Sequence, residues 1–451
     1  TQSRTMPRPL AISEFNTART CPEKLSHKAL GYPTTFDSDP YLRLLSAGGY
    51  MVKQIAKLQY PDGIAIDYAG TGAQAAAERT IEMLRASENV VLFEATLLCG
   101  SKLARTDILV KRGAEFDLLE VKAKLWKGPD DSCAPFRGKR GGIASEWKRY
   151  LEDVTFQTMV LEELFPEAVV HPYLVMCDKA RTTSIDELHS LFTIRRLTIE
   201  GSPIDHVDVR FLGDASSLRR DNFLATIPVD REVRDLMPAV RTASDEFAQS
   251  VTPELLRIPT PISPSCKSCE YRASRTDPRD GFMDCWGPLG AVEPSILELY
   301  KLGAPGGGTR EAGRLIQSRQ TCLLDVDEDA LANADGKVGA DAQRQRVQVG
   351  CARSNIEWVS DRLMSVLDGL RYPLHFIDFE TSRLAIPYHS GMHPYGMVAF
   401  QWSCHTIREA GGPIEHAAWL NSERVFPNFE FASSLRDAIG GGGSVLTWAT
   451  H

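Results

Sequence analysis

The stretch RTDILVKRGAEFDLLEVKAK, Arg105 to Lys124, decides how the chain is read. Its pattern predicts two short strands joined by a turn. Ile108 and Val110 alternate with Asp107, Leu109 and Lys111, and Lys-Arg-Gly-Ala-Glu interrupts the alternation. Phe116, Leu118, Glu120, Lys122 and Lys124 then share one face at period two. A turn at Gly113–Ala114 pairs Asp107 with Glu120 across the hairpin. The preceding strand, Val90 to Leu98, carries one acid, Glu94, and a turn at Gly100–Ser101 pairs it with Asp107. Three carboxylates then lie side by side with Cβ atoms about 5 Å apart. That spacing suits a shared hard cation such as Mg²⁺, which takes oxygen ligands at about 2.0–2.1 Å. An ordinary solvated hairpin carries similar charges. Asp107 heading one strand, Glu-Val-Lys in the next and an apolar opposite face favour the metal site.

Asp107 with Glu120, Val121 and Lys122 resembles the core of the PD-(D/E)XK nuclease superfamily, in its RecB-like branch. The resemblance implies that Asp107 and Glu120, with Glu94, hold Mg²⁺ or Mn²⁺, and that Lys122 orients the attacking water and offsets charge on the phosphate. That branch carries a Gln on the helix after the core, and here YLEDVTFQ ends at Gln157. Tyr150, Asp153 and Gln157 share one helical face, while Trp147, Leu151, Val154 and Leu161 form an apolar stripe that an ordinary surface helix would also show. The branch often has a His or Glu on an early helix, for which Glu78 and Glu82 are candidates.

The chain has ten cysteines without the spacing of a secreted framework, which favours a reducing cytoplasm. Cys21 in TARTCPEKL is far from Cys266-Lys-Ser-Cys269, which Cys285 follows in GFMDCWG. One N-terminal cysteine and a C-terminal trio bracketing a nuclease core resemble the iron–sulfur staple of AddB-type and CRISPR-associated exonucleases. The resemblance implies a 4Fe–4S cluster on Cys21, Cys266, Cys269 and Cys285. Fifteen residues separate Cys269 from Cys285, a longer gap than that pattern usually has, so Zn²⁺ stays open as the alternative. Cys99, Cys133, Cys177, Cys322, Cys351 and Cys404 read as ordinary small residues.

At 451 residues the chain has room for two or three domains. A net charge of −8 excludes a uniformly basic nucleic-acid binder, yet residues 101–150 hold twelve Lys/Arg and seven Asp/Glu, a local +5 around the candidate site. In the loop between Gly128 and Gly142, Arg137, Lys139 and Arg140 are candidate phosphate contacts, against an ordinary solvated loop. HPYLVM, from His171, predicts a further strand of the same sheet. No apolar run approaches a membrane span of about 20 residues and no apolar signal region follows the start. The first residue is Thr rather than Met, as in a trimmed chain. GAPGGG at Gly303 to Gly308 lacks a following Gly-Lys-Ser/Thr, so it is not a P-loop and any helicase motor would be a separate protein.

A second constellation begins at Tyr372, in YPLHFIDFETSRLAIP. Asp378 and Glu380 sit at i and i+2, on one face of an apolar strand. They resemble the first motif of DnaQ-type exonucleases on an RNase-H-like fold, which implies a two-metal site needing further carboxylates downstream. MVAFQWSCHTI fits a second strand and VLTWATH a third, so this site is incomplete as the sequence stands. FEATLL, ARTDILV, LLEVKAK, EDVTFQ, the cysteine trio and YPLHFIDFET…AIPYHSGMHPYGMVAFQWSCH, in that order, resemble a bacterial family known as a domain of unknown function.

The expected architecture is α/β: a restriction-endonuclease-like core with its cysteine staple over residues 1–290, a helical linker over 291–370 and a partial RNase-H-like module over 371–451. The expected activity is metal-dependent hydrolysis of nucleic acid, DNA favoured, in processing, repair or defence, beside a separate helicase or defence-system protein. Two alternatives stay open: an inactive nucleic-acid-binding scaffold, and an exonuclease whose activity lies in the C-terminal module.

Overall fold

The computed structural model describes residues 8–36, 40–128, 135–197, 206–251, 255–272, 279–304, 306–332 and 336–448. Cys133 falls outside them. The protein is mixed α/β and forms two compact units, one centred on residues 13–42 and 245–363, the other on 43–244 and 364–451 with 9–12. This differs from the expected division. The cysteine-bearing ends separate from the central sheet, and the expected linker has its own core: Ile296, Leu299, Ala312, Leu315, Leu323 and Val349 pack with Phe282 and Trp286.

The larger unit begins with helix α1 (Pro40–Lys57) and the short strand β1 (Ile64–Ala65). Helix α2 (Tyr68–Ala86) follows, capped where the Asp67 carboxylate accepts the Gly70 N–H. The chain then runs through β2 (Asn89–Phe93), β3 (Thr96–Cys99), β4 (Lys102–Arg105), β5 (Ile108–Arg112) and β6 (Glu115–Trp126). After α3 (Ser145–Leu164) come β7 (Val169–Asp178), the hairpin β8 (Phe192–Leu197) and β9 (His206–Phe211), and β10 (Leu224–Pro228). The main sheet has the order β10-β7-β6-β5-β2-β1, with β6 and β7 parallel. Both its faces are covered, so Ile108 to Val110 and Leu118 to Val121 are continuously buried rather than alternately exposed.

The hairpin register is the expected one. Ile108 faces Leu119 and Arg112 faces Glu115, which puts Asp107 opposite Glu120. The expected strand Val90–Leu98 is instead broken: β2 joins the main sheet, while β3 pairs with β4 in a separate small sheet. The break falls at Glu94, whose backbone is left-handed at φ 53°. A second irregularity shifts the β6–β7 register between Lys122 and Leu125.

The C-terminal sheet comprises β11 (Leu374–Ser382), β12 (Val398–Ile407), β13 (Ile414–Leu420) and β14 (Ser444–Thr447), in the order β13-β12-β11-β14. β14 is parallel to β11 and the other pairs are antiparallel. The stretch expected as a third strand is therefore the fourth, and β13 was not anticipated. The loop between β11 and β12 lies against the main sheet. Ala385 and Ile386 enter the core with Ile108, Val121 and Val175, and the Tyr395 hydroxyl donates to the Ala123 carbonyl at the β6 irregularity.

Ile386 is 1% exposed in this core, so Ile386→Ala should cost about 2–5 kcal/mol, measured as a drop in the denaturant midpoint. Phe429→Ala, at a side chain 81% exposed, should stay within about 0.5 kcal/mol. An Ile386→Ala midpoint equal to wild type would detach the C-terminal loop from the core of this unit.

Candidate active site

A buried polar cluster of the larger unit lies where β5, β6, α1 and α3 meet. Asp107 is 2% exposed and Glu120 6%. Asp107 Oδ2 accepts the Val121 N–H at 2.8 Å, and its Oδ1 lies 2.5 Å from Lys53 Nζ, sent in from α1. Glu120 Oε1 lies 2.8 Å from Lys122 Nζ, and its Oε2 accepts the Gln157 amide at 2.8 Å. Lys122 also donates to Asp153 at 2.6 Å and lies over the Tyr150 ring at 5.7 Å. The helical face expected from Tyr150, Asp153 and Gln157 thus sits over the hairpin.

The charges explain the titration. Burial would raise the Asp107 carboxyl, but the Lys53 ammonium, Lys122 and the Val121 N–H outweigh it and hold the group below the usual carboxylate range. Burial and the neighbouring Asp107 push Glu120 up to about 7, against Lys122 and Lys53. Burial opposes charge on Lys53 and Lys122, but the carboxylates overcome it and raise both ammonium groups. Asp107, Glu120 and Asp153 share the Lys53 and Lys122 ammoniums in a dry setting. Gln157 Oε1 is buried with no partner in the structure. Two adjacent carboxylates as hard oxygen donors and an unsatisfied amide oxygen fit a divalent cation on Asp107 and Glu120.

Other candidates are placed differently. Glu94 presents one oxygen to Lys57 at 2.7 Å and the other to Arg105 at 3.2 Å. Among the described residues it forms no three-carboxylate group with Asp107 and Glu120 whose ligand atoms lie within 4.8 Å. Its backbone N–H donates to the Asp107 carbonyl at 3.2 Å, so the expected pairing of Glu94 with Asp107 holds in the backbone. Arg137 is matched by two carboxylates, Glu232 at 3.0 Å and Asp235 at 2.6 Å, which leave it no net positive charge for phosphate, whereas Lys139 and Arg140 are exposed. Glu78 pairs with Gln74 and Glu82 with Arg79 on α2, away from the cluster. Asp378 and Glu380 are exposed on β11. Lys53 escaped the sequence reading. Its signal was a lysine pair, Lys53 and Lys57, flanking the buried Met51, Val52, Ile55 and Ala56 of α1.

In the smaller unit, Cys21 follows the helix Ile12–Thr20, Cys266 lies in the turn Pro264–Ser268 and Cys285 in the helix Gly281–Trp286. The thiols are electrostatic neighbours: Cys285 feels Cys21 and Cys269, and Cys269 feels Cys266. The group of three ligand atoms found within 4.8 Å among the described residues is mixed, Glu23, His27 and Cys285. Burial, then Glu23 and Cys21, push Cys285 up to about 12, and burial raises Cys269. Any metal bound here would have to displace the protons of these thiols.

With the two clusters described, comparison with known proteins adds a partial match. Residues 375–451 match the model of a family described as a domain of unknown function (DUF2779). No curated protein and no solved structure matches the chain. No helix among the described residues is long and apolar enough to cross a membrane.

If Asp107 and Glu120 hold Mn²⁺, the ion has to displace the Glu120 proton as pH falls below about 7. Calorimetric Mn²⁺ affinity should therefore fall about tenfold from pH 8 to pH 6, the proton released per ion rising from about a tenth to about nine-tenths over that range. An affinity flat over that range would mean that Glu120 does not titrate there.

Proposed function

We propose that the chain is a metal-dependent nuclease of PD-(D/E)XK type, hydrolysing phosphodiester bonds of nucleic acid, with DNA the favoured substrate. The observation that carries this reading is Asp107 opposite Glu120 on neighbouring buried strands, with Lys122 Nζ 2.8 Å from Glu120. Asp107 and Glu120 would hold Mg²⁺ or Mn²⁺. Such an ion supplies Lewis acidity toward the phosphate and lowers the pKa of a bound water. Gln157 fixes the Glu120 carboxylate in orientation. Lys122, held protonated by Glu120 and Asp153, acts as a positive charge beside the reacting phosphate rather than as a base.

Cys21, Cys266, Cys269 and Cys285 would carry a 4Fe–4S cluster in this reading, since each cluster thiolate binds its own iron and the sulfurs need not crowd one point. Zinc is the second reading, and the mixed Glu23, His27 and Cys285 group favours it because one ion needs its ligands close together. For the C-terminal sheet, the order β13-β12-β11-β14 with β14 parallel supports an RNase-H-like module. Asp378 and Glu380 on β11 would be its first acidic pair.

Asp107→Asn, Glu120→Gln and Lys122→Met should each lower Mn²⁺-dependent cleavage of end-labelled strands by at least about a hundredfold, with melting curves showing folded protein. Asp378→Ala should leave the rate unchanged. Wild-type turnover in any of the first three removes the assignment, and loss of cleavage in Asp378→Ala moves the activity to the C-terminal module. Absence of cleavage by the wild type would leave the scaffold alternative.

Anaerobically purified protein should contain iron and acid-labile sulfide. Cys21→Ser, Cys266→Ser, Cys269→Ser and Cys285→Ser should each lose the cluster absorbance, and Cys99→Ser should keep it. Stoichiometric zinc without iron assigns the mixed site instead.

A further inference from the structure

Beside Asp107 and Glu120 lies a cavity of about 490 Å³ that the proposed reaction does not use. Tyr50, Lys53 and Lys57 of α1, Tyr68 of α2, Glu94 and Arg105 line it. Its volume is that of a small-molecule pocket, with room for one nucleotide. Lys53 connects it to the cluster, lining the cavity while its Nζ touches Asp107 at 2.5 Å.

Two cations converge on one point in its wall. Lys57 Nζ lies 2.7 Å from Glu94 Oε1 and Arg105 Nε 3.2 Å from Glu94 Oε2. Arg105 also lies over the Tyr68 ring, 5.1 Å from its centroid. Glu94 reaches this position from a left-handed backbone, φ 53°, a conformation that costs a non-glycine residue energy and recurs at ligand-binding sites. The other lining acids are engaged, Asp67 with the Gly70 N–H at 2.9 Å and Asp208 with Arg210 at 2.9 Å. A terminal phosphate offers Lys57 and Arg105 the same kind of oxygen acceptors as Glu94 with greater charge, and Tyr68 and Tyr50 offer ring faces to a base or sugar.

We propose that this cavity binds the phosphate-bearing terminal nucleotide of a nucleic-acid strand, so that the chain works from strand ends. The proposal rests on the nuclease reading of Asp107 and Glu120. Glu94 is then a positioning residue that holds Lys57 and Arg105 in place until the phosphate arrives.

The test pairs binding with cleavage. Calorimetry with deoxyadenosine 5′-monophosphate, deoxyadenosine 3′-monophosphate and deoxyadenosine is run on the wild type, Arg105→Ala and Lys57→Ala. Cleavage with Mn²⁺ compares circular single strands with linear ones ending in 5′-phosphate, 3′-phosphate or hydroxyl. One monophosphate should bind at least about tenfold more tightly than the nucleoside, and each substitution should erase that preference. The preferred monophosphate identifies the end, and strands phosphorylated at that end should be cut about tenfold faster than circles. Equal binding of nucleotide and nucleoside, or an unchanged preference in Arg105→Ala, overturns the proposal. Circles cut as fast as linear strands also overturn it while leaving the nuclease reading intact. Monophosphate binding with no cleavage of any strand keeps the pocket and removes the nuclease reading.

Discussion

Two carboxylates buried on adjacent strands constrain the larger unit more than any other feature. Moving a charge out of water costs several kcal/mol even after relaxation, and Asp107 and Glu120 also repel each other. The surrounding elements supply the compensation. Lys53 enters from α1, Lys122 from β6 itself, Gln157 from α3, and the Val121 N–H turns to Asp107. Removing one partner would leave another charge uncompensated, so α1, the hairpin and α3 are tied to one geometry. The remaining mismatch appears at Glu120, raised to about 7.

The irregularities of the two strands serve the same geometry. Glu94 breaks the strand before β5, sending β3 and β4 into a separate sheet against which α3 also packs. Beyond Lys122 the β6–β7 register shifts, and the Tyr395 hydroxyl satisfies the Ala123 carbonyl there. Lys124, just past the shift, lies over Trp147 at 4.2 Å and Tyr150 at 4.8 Å. The segment that bears Tyr395 therefore packs against the strand that carries Glu120 and Lys122 as well as filling the core with Ile386.

What the sequence made legible was local. The register of the hairpin followed from turn chemistry and alternation, and with it the Asp107–Glu120 pair; the face of α3 bearing Gln157 followed from helical spacing. What escaped depends on contacts distant in sequence. Nothing in the local pattern says that Lys53 meets Asp107, that Arg137 is claimed by Glu232 and Asp235, or that Ile386 packs against Ile108. The strand Ile414–Leu420 was missed because its residues are mostly exposed and include His416 and Glu415, so it lacks the apolar alternation that marks a half-buried strand. The region expected as a helical linker carries helices whose apolar residues pack against Phe282 and Trp286, just outside the expected boundary.

Lys53 joins the two proposed sites, and its position has an energetic consequence. Its ammonium answers to Asp107 first, then to Glu120 and Glu94. A divalent ion on Asp107 and Glu120 would repel that ammonium, and the cavity lined by Lys57 and Arg105 is the space beside it. Turned toward the cavity, Lys53 adds a third positive charge where the terminal phosphate is proposed to bind. A phosphate there would in turn draw Lys53 from Asp107 and leave the carboxylate more open to the ion. Because such coupling is reciprocal, metal and strand end would each strengthen the other's binding, and Lys53→Met should weaken that cooperativity without removing either site. Calorimetric titration of Mn²⁺ with and without the preferred monophosphate measures the coupling directly. Equal coupling in the wild type and Lys53→Met would place the connection elsewhere.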